Sequence, residues 1–238
     1  MLPSKELSKQ EKERHFRLIR DYAKNNFKTD NVEIEYLDNG DEKGIYKVSY
    51  AGDVFVASAA SIDPEKRLLE EYNILHELWD KVPHLFPRPI SHYSSSNGEL
   101  GELLTMELLP EKNLRELVNP GDFDFYRKLS KEIGKAVNEV QLKTGRYSSE
   151  PHNGNILASY SNGNFNLKFC DAIQFKKGSI EEAVESILSM RDMRPECFRF
   201  IRQFREGLLE TELKENPNLT TIEANKKFDF LRDYNDIF

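Results

Sequence analysis

Apolar residues recur along this chain at two spacings, and the change from one to the other divides it. Over 5–27, Phe16, Ile19, Tyr22, Ala23 and Phe27 fall at helical intervals, which predicts a helix with one buried face. Three strand-like runs follow at 32–37, 45–50 and 54–57. The link Ala51-Gly52-Asp53 between the last two reads as a hairpin turn, so an antiparallel sheet is expected. Asp63-Pro64 opens a second helix reaching about Leu78, with Leu68, Leu69, Tyr72, Leu75 and Leu78 on its apolar stripe. Pro83, Pro87 and Pro89 predict an extended stretch, and a further strand pair brackets the turn region 94–101. Beyond Pro110 the pattern becomes helical, over 113–118, 123–143, 179–191, 195–213 and 221–234. A loop and a small hairpin, 156–158 with 166–170, interrupt it. The expected fold class is therefore α+β: strand-rich first, with one helix among its strands, then mostly helical, with a break near 107–113.

Composition narrows the setting. At 238 residues there is enough chain for one large domain or two lobes. No apolar run approaches the roughly 20 residues that span a bilayer, so no membrane span is expected. The first residues lead into a charged helix rather than an apolar signal segment. Cys170 and Cys197 lack ligand-like spacing, which supports neither a disulfide framework nor a zinc site and suits a reducing cytoplasm. The net charge of −7 and a pI near 5.4 argue against a nucleic-acid surface. Lys176-Lys177 reads as a solvated turn.

Residues 148–157 read Ser-Ser-Glu-Pro-His-Asn-Gly-Asn-Ile-Leu, and Asp171 follows an apolar strand that ends in Phe169-Cys170. A carboxylate at Glu150, an amide oxygen at Asn155 and a second carboxylate at Asp171 form a set suited to phosphoryl transfer. The last two can hold Mg²⁺ against phosphates, and the first can orient or deprotonate an attacking hydroxyl. Bland explanations stand beside this one. Asparagine suits a Gly-Asn turn for its own backbone reasons, and Glu150 fits a surface turn.

Taken together, the motifs resemble the protein-kinase-like superfamily, nearest to its aminoglycoside and choline type of phosphotransferase. Leu69-Glu70-Glu71-Tyr72-Asn73-Ile74-Leu75 is similar to the helix whose glutamate pairs with a strand lysine. Val82-Pro83-His84-Leu85-Phe86-Pro87-Arg88-Pro89-Ile90 resembles the proline-rich entry to the fourth strand. Thr105-Met106-Glu107-Leu108-Leu109-Pro110, then Asn113-Leu114-Arg115-Glu116-Leu117, resembles the adenine-binding hinge and the helix after it. His152-Asn153-Gly154-Asn155-Ile156-Leu157 matches the catalytic loop, and Asp171 the metal-binding aspartate. The resemblance covers about 32–190. It implies a two-lobed fold, with a helical extension at 1–30, a small lobe of antiparallel sheet and one helix at 31–110, and a compact, mostly helical lobe at 111–238. It also implies ATP and Mg²⁺ as cofactors. Met106 would be the gatekeeper, the backbone of Glu107 and Leu109 would meet adenine, and Asn155 with Asp171 would hold the metal.

The departures from the family pattern bear on chemistry. Where the third strand ends in a phosphate-gripping lysine, Val54-Phe55-Val56-Ala57-Ser58 aligns Ala57. Losing that ammonium removes an electrostatic stabiliser of the transition state. Lys43 stands where with-no-lysine kinases carry their relocated lysine, in reach of the phosphates and Glu71; Lys47 is a lesser candidate. The glycine-rich loop keeps Gly40 and Gly44 but carries Asp38, Asp41 and Glu42. Glu150 replaces the usual aspartate, with its carboxylate one methylene further out. Ser148 and Ser149 replace the usual residues before it, and His152 is expected to pack within the loop. Only residues 172–178 separate Asp171 from the next helix, so the long peptide-docking segment of protein kinases is missing.

Three functions are consistent with this pattern. The leading one is an atypical ATP- and Mg²⁺-dependent phosphotransferase acting on a small-molecule or protein acceptor. The others are a pseudokinase serving as a binding or scaffold module, and a kinase-fold enzyme transferring AMP. The expected location is the cytoplasm, including that of a host cell, since compact kinases with altered motifs are also seen among effectors that bacteria deliver.

Overall fold

A computed structural model describes residues 7–29, 31–39, 43–60, 67–95, 100–117, 122–150, 155–188 and 200–231. The chain divides into two compact units. One comprises Met1–His76 and Pro87–Leu109, the other Glu77–Phe86 and Pro110–Phe238. Both strands and helices are present, and the principal sheet is five-stranded and antiparallel, as expected for an α+β chain. Among the described residues no helix is long and apolar enough to cross a membrane.

The first unit starts with α1, Lys9–Phe27. It begins later than the hydrophobic spacing suggests, because Ser8 and Glu11 form a reciprocal cap: Glu11 N–H donates to Ser8 Oγ at 3.2 Å, and Ser8 N–H to Glu11 Oε2 at 2.8 Å. Strands β1 (Glu33–Asn39), β2 (Gly44–Tyr50) and β3 (Asp53–Ala60) follow, and β4 (Pro89–Ser94) and β5 (Glu102–Glu107) complete a sheet of order β1-β2-β3-β5-β4. Ala51 and Gly52 both take positive φ, 49° and 93°, which turns β2 into β3 in two residues. Leu18, Ile19 and Tyr22 of α1 pack on one face of the sheet against Tyr46, Val48, Phe55, Ala57, Ala59 and Leu103. The amphipathic helix thus finds its partner within its own unit. On the other face, Leu68 of α2 (Arg67–Lys81) packs with Ala60 and Leu104, flanked by Tyr72 and Met106. α2 runs past Leu78 and stops just before Pro83, which disfavours helical backbone in the residue ahead of it.

The second unit is built on α4, Phe123–Thr144, capped by Asp122 and ended by Gly145 at φ 63°. Among the described residues its other helices are α3 (Leu114–Leu117), α5 (Ile180–Leu188), α6 (Ile201–Glu215) and α7 (Thr221–Lys227). α4 and α6 cross at two glycines. A Cβ on Gly134 would lie 2.2 Å from the Phe204 carbonyl oxygen, and one on Gly207 2.0 Å from that of Lys131, so only glycine permits this approach. The hairpin β8 (Ile156–Ser161) and β9 (Asn164–Phe169) is longer than the spacing suggests and carries β6 (Lys112–Asn113) on its outer edge. The short stretch after Asp171 holds a 3₁₀ turn, Ala172–Gln174, and β10 (Phe175–Lys177). β10 pairs with β7 (Arg146–Ser148), a ladder the sequence pattern does not reveal.

Candidate functional site

The candidate residues fall in two groups, one in each unit. In the first unit Lys43 immediately precedes β2, and its Nζ donates to both carboxylate oxygens of Glu71 on α2, at 2.9 and 2.7 Å. Glu71 is buried, its side chain 4% exposed against 20% for Lys43. A carboxylate taken out of water needs such a partner, and the ammonium on it is held in one place as a result. Lys47 is engaged elsewhere, with its Nζ 3.1 Å from Glu35 Oε2 on the neighbouring strand. Gly40 lies outside the described residues, as do Asp41, Glu42 and His152.

The two faces of β3 meet different helices. Ala57 is fully buried among the α1 contacts, facing away from α2. Its neighbour Ser58 is paired with Ile45 and Leu104 and shares the face on which Leu104 meets α2. Successive strand residues point to opposite faces, so a one-residue shift exchanges them. Ser58 therefore lies on the face of β3 that meets α2, and its hydroxyl supplies no charge there. Gly44 also has a different explanation from a glycine that clears room for phosphate. A Cβ there would lie 2.6 Å from Tyr46 Oη and 2.9 Å from His15 Nδ1, so the glycine clears room for α1 and β2.

At the end of β5, Met106 is half-buried beside the Ala60–Leu68–Leu104 cluster. Glu107 N–H donates to the Arg88 carbonyl at 2.9 Å, and its carboxylate accepts from Arg88 N–H at 3.1 Å. This double contact fixes the strand end. Leu109 is half-buried two residues on, and the chain passes to the second unit after it.

In the second unit the β8–β9 hairpin brings Asn155 and Asp171 together. Ile156 pairs with Phe169, and the ladder continues one step further as Cys170 N–H donates to the Asn155 carbonyl at 3.0 Å. Asn155 Nδ2 then donates to Asp171 Oδ2 and to the Glu150 carbonyl, both at 3.4 Å. Asp171 has left-handed backbone, φ 63° and ψ 63°, a conformation that costs most residues energy and that aspartate tolerates better than most. The carboxylate of Glu150 is exposed. The loop before it is anchored by Ser149, whose N–H and Oγ both donate to the Gln174 carbonyl, at 2.9 and 3.0 Å. Ser186 Oγ donates to the Ser148 carbonyl at 2.8 Å. The two serines thus provide the loop's scaffolding through backbone contacts.

Sequence reasoning missed the charged group that braces this frame. Arg146 donates to Glu77 Oε2 at 3.1 and 2.8 Å and to the Phe175 carbonyl at 2.8 Å, while Lys177 Nζ reaches Glu77 Oε1 at 3.1 Å. The Arg146 guanidinium in particular, with Lys177 behind it, lowers the Glu77 carboxyl to about 2. The signal was the cross-strand pair Arg146 and Lys177, which becomes visible only once β7 and β10 are known to be paired.

An amide oxygen from Asn155 and a carboxylate from Asp171 suit Mg²⁺, which takes few protein ligands and completes its shell with phosphate and water. A cation between them requires the amide turned to offer Oδ1 in place of Nδ2. Among the described residues no group of three or more His, Cys, Asp or Glu side chains could hold a metal ion. Comparison of the chain with protein-family models and with curated proteins gives no match.

Proposed function

We propose that this chain is an atypical kinase-like phosphotransferase using ATP and Mg²⁺, with the first unit as the small lobe and the second as the large one. The observation that carries the reading is the Lys43–Glu71 ion pair: a lysine ahead of β2, on a buried glutamate of the helix packed on the sheet. An ammonium held still in this way is a phosphate-binding group, and it stands in for the charge that Ser58 does not supply. In this reading the Glu107 and Leu109 backbone would meet adenine beside Met106. Asn155 and Asp171 would hold Mg²⁺ on the phosphates, and Glu150 would orient the acceptor hydroxyl.

A second reading, a nucleotide-binding module without transfer, draws on Glu150. Its contact to Asn155 is through the backbone carbonyl, and among the described residues none holds the exposed carboxylate in one direction. Misplacing a reacting group by about 1 Å can cost on the order of a hundredfold in rate.

Thermal unfolding with ATP, with and without Mg²⁺, tests the proposal. We expect a metal-dependent rise in Tm that Asp171→Asn abolishes. No shift at millimolar MgATP overturns it. Mass spectrometry of the protein and of candidate acceptors after incubation separates phosphate transfer, AMP transfer and binding alone.

A further inference from the structure

We infer that His15 and Tyr46 are positioning residues for Lys43: the α1 imidazole and the β2 phenol grip the backbone at Gly44 and thereby hold the lysine against Glu71. Both rings are fully buried, and His15 Nδ1 lies 2.9 Å from Tyr46 Oη, within hydrogen-bond distance. The phenol ring is fixed by edge-on contacts with His15, Phe16 and Tyr36, at centroid distances of 5.8, 5.6 and 5.5 Å. The pair fills the space a side chain of residue 44 would take: a Cβ there would lie 2.6 Å from Tyr46 Oη and 2.9 Å from His15 Nδ1. Gly44 is also paired on both sides, to Asn39 of β1 and to Ala59 of β3. The backbone is therefore held from three directions at the residue next to Lys43. Burial favours the neutral imidazole, holding His15 down to about 4, so the contact persists as a neutral hydrogen bond at ordinary pH. The meaning of this grip for phosphate binding rests on the role proposed for Lys43; the grip itself does not.

The test is NMR of the nucleotide-free chain, following the Lys43 ammonium signal, which slow exchange with water keeps visible while it is doubly bonded to Glu71. In Tyr46→Phe and His15→Leu we expect that exchange to speed up about tenfold, the weight of one net hydrogen bond. Amide exchange in β5 should stay unchanged, and His15→Gln, whose amide can still bond the phenol, should recover part of the protection. A Lys43 signal unaltered in Tyr46→Phe overturns the inference, and that variant keeps the ring, so it decides the matter if His15→Leu does not fold. MgATP titration of the same proteins separates the two readings. Altered Lys43 exchange with no nucleotide binding by the unmodified chain upholds the grip and removes the nucleotide role. Equal binding by all variants with Lys43 unaltered does the reverse.

Discussion

Lys43–Glu71 and Asn155–Asp171 each join a carboxylate to a nitrogen, under opposite conditions. The first couples full charges at 2.7 and 2.9 Å on a buried acid, with a packed sheet and helix around it. The second couples a neutral amide to a carboxylate at 3.4 Å, half-exposed and on a left-handed backbone. A buried charge must bring its counter-charge with it, so the first pair is part of what holds its unit together. The second joins its acid to a neutral amide on a more exposed part of the chain. A neutral hydrogen bond of this length contributes little to stability.

The largest effect that can break this contrast is on stability. Lys43→Ala leaves the Glu71 carboxylate buried without its ammonium and should cost the first unit up to about 3 kcal/mol. Asn155→Ala should cost less than about 1 kcal/mol. Urea unfolding followed by hydrogen exchange in each unit measures both, and equal costs would remove the distinction.

Acid should then separate the two units. His15 is held at about 4 chiefly by burial, with Glu11 raising it and Arg14 lowering it from its own helix and the Tyr46 and Tyr36 rings packed nearby. The unfolded chain protonates this group first, at about 6.5. Its contribution is therefore complete above that pH and falls as pH drops toward 4, by up to about 3 kcal/mol. Glu77 is lowered from 4.5 to about 2, so its contribution in the second unit survives to pH 4.5 and is lost only between there and about 2. Exchange in α1 should rise between pH 6.5 and 4, while Trp79 fluorescence in the second unit changes at lower pH. A simultaneous response would contradict these assignments.

The smallest effect concerns the backbone of Asp171. At φ 63° a glycine is at ease and an alanine is strained. Asp171→Ala should therefore be less stable than Asp171→Gly by about 1 kcal/mol, read from urea midpoints. Neither should respond to MgATP, since both lack the carboxylate.

Much of the architecture was legible where the chain encodes it locally. The turn at Ala51-Gly52, the long α4 between Asp122 and Gly145, and the hairpin that carries Asn155 and Asp171 to one end all follow from periodicity and turn residues. The β7–β10 ladder was not legible. Its strands have three residues each, too few to show a period, and they lie far apart in sequence. Which face of β3 meets α2 was not legible either, and His15 went unnoticed because an apolar stripe does not announce a buried imidazole.

By itself, then, the sequence determined the order of the longer helices and strands and the tight turn between β2 and β3, because short-range spacing sets both. It also named Lys43 and Glu71 as candidates for one another. Tertiary structure alone decided that they meet, that Ser58 rather than Ala57 occupies the face toward α2, and that Gly44 makes room for His15 and Tyr46. Each of these depends on which face of a strand receives which helix. That choice is made by burial between distant segments, and a shift of a single residue reverses it.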